Sequence, residues 1–99
     1  MIRGTTPTHV FETDVDLSGA EEIYVTYRQG GMTVEKTMAD CVVTPESVSV
    51  ELTQAETLLF RVGGFNVQVQ IRAKFPDGSA LASNIIPISV SPILKEGEI

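Results

Sequence analysis

The segment Asn66 to Phe75 sets Val67, Val69, Ile71, Ala73 and Phe75 in strict alternation with Gln68, Gln70, Arg72 and Lys74. A period of two is the signature of a pleated strand, in which successive side chains point to opposite faces. Five apolar residues opposite an unbroken polar row describe a central strand with one wet face. The same period recurs elsewhere. Glu22 to Gln29 alternates Ile23, Val25 and Tyr27 against Tyr24, Thr26 and Arg28, and Ser47 to Leu52 sets Val48, Val50 and Leu52 against Ser49 and Glu51. Thr, Val and Ile supply 30 of the 99 residues, a bias toward side chains that pack on pleated surfaces.

The remaining elements follow from turn chemistry. A first strand is predicted over Thr8 to Asp14, with either His9, Phe11 and Thr13 or Val10, Glu12 and Asp14 as its buried face. Gly30-Gly31 divides Glu22–Gln29 from a second extended run, Met32 to Met38, and predicts a type I′ hairpin with φ > 0 at both glycines. A short strand reads at Cys41 to Thr44, followed by a turn at Pro45-Glu46-Ser47. Thr53-Gln54-Ala55-Glu56 fits a capping box and opens a helix to about Phe60, which Gly63-Gly64 stops. Pro76-Asp77-Gly78-Ser79 is a turn into Ala80 to Ser83 and then Ile85 to Ser91. Pro87 lacks an amide donor, so that last run is an edge strand or crosses a bulge. The fold predicted is all-β: an antiparallel Ig-like β-sandwich of about six to eight strands with one short helical turn near residues 54–60. Its predicted core is Ile23, Val25, Tyr27, Val48, Val50, Leu52, Val67, Val69, Ile71 and Ile88. Residues 1–91 form the single domain and 92–99 a tail that docks loosely or hangs free.

The formal charge of −6 makes a phosphate backbone a poor partner. The residues from Met1 to Pro7 carry no apolar stretch of a secretory signal, and no apolar run approaches the ~18 residues that span a bilayer. The expected location is therefore the cytoplasm, with neither nucleic acid nor membrane as partner. Cys41 is the single cysteine and His9 the single histidine, so no disulfide and no Cys/His metal site can form within the chain. No nucleophile, acid and base come together in any motif, and neither an enzyme nor a cofactor is expected.

Asp14-Val15-Asp16-Leu17-Ser18-Gly19 followed by Glu22 partly fits a calcium loop, but position twelve is Val25 and the flanks are strands rather than helices. A turn with solvated acids is the better reading, and Asp14, Asp16 and Glu22, with Glu21 beside them, stay as the candidate cation ligands. The first strand contains no proline, so Thr8, His9, Val10 and Phe11 are the expected docking edge, with Ile93 and Leu94 of the tail as a second contact.

From Val48 to Ser91 the order is Val-Ser-Val-Glu-Leu-Thr-Gln-Ala-Glu-Thr, a double glycine, Val-Gln-Val-Gln-Ile-Arg, Pro-Asp-Gly-Ser and Ala-Ser-Asn-Ile-Ile. This pattern resembles small β-sandwich proteins encoded in prophages of Gram-positive bacteria, and is similar to the N-terminal domain of phage baseplate upper proteins. The resemblance implies a structural module of a phage tail or baseplate. It implies protein partners there or a second copy of the chain, made in a bacterial cytoplasm and passing into the virion. A stand-alone module that binds carbohydrate or a host protein is the alternative. The absence of Trp, with Tyr24 and Tyr27 as the only tyrosines, favours assembly over sugar stacking.

Overall fold

The computed structural model describes residues 1–99. Its strands are β1 (Thr8–Glu12), β2 (Glu22–Gln29), β3 (Met32–Thr37), β4 (Cys41–Thr44), β5 (Ser47–Glu51), β6 (Val67–Lys74), β7 (Ala80–Ala82) and β8 (Ile86–Ile88). A 3-10 turn over Met38–Asp40 links β3 to β4, and the helix α1 (Gln54–Leu58) follows β5. All strand pairs are antiparallel and form two sheets, β1-β5-β4 and β3-β2-β6-β7, with β8 also on β6.

Taken in chain order, this is the immunoglobulin plan. Strands β3, β2, β6 and β7–β8 stand where C′, C, F and G stand, and β4, β5 and β1 where D, E and B stand. The place of strand A, beside β1, is unfilled. The segment that precedes β1 instead meets the far end of the chain: Ile2 bridges Ser91 in parallel, Arg3 N donates to Ser91 O and Ser91 N to Met1 O.

The alternation decides the core. Ile23, Val25, Tyr27, Val48, Val50, Leu52, Val67, Val69 and Ile71 are all buried, joined by Leu17, Ala20, Val34, Phe60 and Ala73. Ile88 is only half-buried, because β8 lies at the rim of its sheet. On β1 the inward face is His9 and Phe11, opposite Val50 and Val48 of β5.

Three local expectations need correction. The hairpin at Gly30-Gly31 forms, but only Gly30 has positive φ (58°), the pattern of a type II′ turn rather than I′. Thr53 caps α1 as predicted, accepting from Glu56 N while Glu56 Oε1 accepts from Thr53 N at 2.8 Å, yet the helix ends at Leu58. It stops there because the chain must drop Phe60 into the core, where it is fully buried; Gly63-Gly64 lies further on, in the loop to β6. The run Ile85–Ser91 shortens to Ile86–Ile88. Arg72 pairs with Ala82 but Val69 with Ile86, so one extra residue is inserted between β7 and β8. Ser83 repairs the gap: its Oγ accepts from Ile71 N at 3.0 Å, and its carbonyl accepts from Gln70 Nε2 at 3.0 Å.

The tail is tied at two points. Arg3 forms a two-pronged pair with Glu96 and donates to the Phe60 and Leu58 carbonyls, while the Gln54 amide exchanges hydrogen bonds with the backbone of Ile99. Ile93 packs so closely that a Cβ on Gly4 would lie 2.9 Å from its Cδ1.

Candidate functional site

β1 is paired on one side only, with β5, and β7–β8 on one side only, with β6. These two free edges face each other across an open flank of the sandwich. Between them runs a groove of about 450 Å3. Its apolar residues include Phe11, Val15, Leu17, Ile71, Leu81 and Ile86, several of them members of the core or packed against it. Glu12 and Asp14 line one bank, Ser83 and Asn84 the other, and no cationic side chain lines it. Thr13 Oγ1, in the groove wall, is buried with no hydrogen-bond partner.

The residues expected to dock are divided by this geometry. Thr8 and Val10 point outward, Val10 with 62% exposure, whereas His9 and Phe11 point into the sandwich. Ile93 is half-buried against Gly4, and Leu94 is fully exposed. Thr8 and Val10 thus flank the free edge, Phe11 forms part of the groove, and the tail residues belong to a separate surface.

His9 serves the interior. Its Nδ1 lies 2.7 Å from the Tyr27 hydroxyl, a bond between the two sheets. Burial holds the His9 pKa below its ordinary value, with the chain's amino terminus adding to the effect. Burial likewise raises the Tyr27 pKa, reinforced by Cys41 and Glu56. The Cys41 thiol is pushed up by burial and by Asp40, and its Sγ donates to Thr37 O at 3.3 Å. Around neutral pH this histidine and thiol are both uncharged, which suits structure better than nucleophilic attack.

Close by, Lys36 reaches inward from the edge strand β3 to Glu56 of α1 at 2.7 Å, its side chain only 12% exposed. Its pairing opposite Val25 puts it on the inner face, where it keeps β3 from joining another sheet. Burial pulls Glu56 upward, but its bonds to Lys36 and Thr53 outweigh that and leave it below the usual carboxylate range.

The acidic loop is organised by hydrogen bonds of its own. Asp16 Oδ1 accepts from both Ser18 Oγ and Ser18 N, which lowers its pKa, and between them Leu17 turns inward as a core residue. Glu21 pairs with Lys74 at 3.5 Å, and Glu22 accepts from the Tyr24 hydroxyl. No group of three or more His, Cys, Asp or Glu side chains is placed to hold a metal ion, so Asp14, Asp16 and Glu22 are not brought together.

A second surface had no signal in the periodicity. Phe65, in the loop before β6, is 81% exposed, with Met32, Leu59 and Val62 exposed as well. Gln29 braces this loop, donating to the Arg61 and Phe65 carbonyls at 2.9 and 2.8 Å and accepting from Arg61 N at 2.7 Å. Recesses of about 450 and 340 Å3 flank Phe65; Arg61 lines the first, Arg28 the second, and neither has an acidic residue.

No family model matches the chain, and no curated protein or solved structure does. No helix is long and apolar enough to cross a membrane.

Proposed function

We propose that the chain is a non-enzymatic assembly module of a phage or prophage tail or baseplate, working through protein–protein contacts. The observation that carries this reading is the open flank: a free β1 edge beside an apolar groove, where the immunoglobulin plan would have strand A. Unpaired strand edges and exposed apolar clefts recruit other chains. An added segment would gain main-chain bonds from β1 and bury side chains against Phe11 and Leu81. The prophage-like pattern of residues 48–91 supplies the setting: a bacterial cytoplasm and then the virion. Light scattering after co-expression with phage tail and baseplate proteins, where such genes lie beside its own, tests this. A stoichiometric complex, or a mass that grows with concentration, is expected. A chain that stays monomeric at millimolar concentration and joins none of those proteins would favour the binding-module reading instead.

A further inference from the structure

We propose that the groove takes a second copy of this chain, joined head to tail, with the Phe65 loop of one copy seated between β1 and β7–β8 of the next. This rests on the assembly reading and names the partner for the same flank. One surface is a projecting ring beside cationic residues and the other an apolar groove beside acidic ones. The donor is an 81% exposed phenyl ring on a loop held by three hydrogen bonds to Gln29, so little order is lost on docking. The acceptor is a groove of about 450 Å3 with Phe11, Leu17, Leu81 and Ile86 among its apolar residues.

Charge sets the direction. Arg28 and Arg61 flank Phe65 with no acid among the residues lining its recesses. Glu12 and Asp14 rim the groove with no cation among its lining residues. Asp16, between the groove residues Val15 and Leu17, and Glu46, whose carbonyl accepts from Thr13 N, extend that acidic end. Of the two cations on the neighbouring part of β6, Lys74 is paired with Glu21, and Arg72 lies on the outer face of the sheet, opposite to the groove residue Ile71. In a chain of net charge −6, this segregation favours unlike ends meeting over like ends. The Phe65 recesses and the groove share no residue, so the contact is heterologous: each joined pair keeps one free donor and one free acceptor, and growth continues into a ring or a fibre.

Sedimentation velocity on the full chain tests this with two surface variants, each first checked for a wild-type melting curve. Phe65→Ser removes the donor, and Glu12→Lys with Asp14→Lys spoils the acceptor. Wild type should form species larger than a dimer as concentration rises, and each variant alone should remain monomeric. Their equal mixture should stop at a dimer, because one supplies a sound groove and the other a sound loop. Arg61→Glu replaces Phe65→Ser should the latter melt early. A monomeric wild type overturns the proposal, as does association that Phe65→Ser leaves unchanged or a mixture that stays monomeric. Association insensitive to Phe65, or a complex with tail proteins alone, would still sustain the assembly reading while this inference fails.

Discussion

His9 on β1 and Tyr27 on β2 are hydrogen bonded across the sandwich, 2.7 Å from Nδ1 to the hydroxyl. Each would be a buried polar group in need of a partner, and each satisfies the other. Tyr27→Phe removes one half and strands the other, which should cost about 1–2 kcal/mol. Chemical denaturation of the two proteins measures it. No loss of stability would mean the bond is not formed in solution.

The same pair predicts a pH dependence. Burial keeps His9 from taking up a proton when folded, whereas in the unfolded chain it titrates near its ordinary value of 6.5. Below that value the unfolded state binds the extra proton, so the His9 contribution is complete above it and is lost as pH falls. Melting temperatures between about pH 7.5 and 5 should therefore drop more steeply for wild type than for His9→Gln. Parallel curves would refute this.

Lys36 and Glu56 should respond unequally to substitution. Glu56→Ala leaves the Lys36 ammonium largely enclosed without its carboxylate and also removes half of the α1 capping box, a loss of about 2–3 kcal/mol after allowance for partial exposure. Lys36→Met keeps the packing and frees Glu56 toward solvent, and should cost under about 1 kcal/mol. Equal effects in denaturant titrations would contradict this account of the pair.

Val69 is fully buried in the middle of β6. Val69→Asp would place an uncompensated charge in the core at a cost of roughly 3–5 kcal/mol, a large part of the stability of a domain this size. Circular dichroism should show a chain mostly unfolded at moderate temperature. A melt within a degree or two of wild type would mean the register is different.

Calcium should leave the melting temperature unchanged, since Asp16 is engaged by Ser18 and no three carboxylates converge. Real binding would stabilise by about 2.7 kcal/mol at a hundred times the dissociation constant. A shift of that size at micromolar calcium would establish a site at Asp14 and Asp16.

The sequence by itself determined the strands, the inward faces of β2, β5 and β6 and the cap of α1, because these depend on period, turn residues and neighbours a few positions apart. Val67, Val69 and Ile71 could face only one way once Gln68, Gln70 and Arg72 were read as wet, and Thr53 and Glu56 satisfy each other within one turn. Tertiary structure decided everything that depends on which strands meet. It chose His9 and Phe11 as the inner face of β1, an ambiguity local pattern could not break, because Val48 and Val50 lie opposite them. It turned Lys36 inward to Glu56 and placed Ser83 to bridge the bulge beside Ile71. It also set the free edge of β1 against β7–β8 and lifted Phe65 between Arg28 and Arg61. Such contacts join residues tens of positions apart, and no periodicity within one segment encodes them.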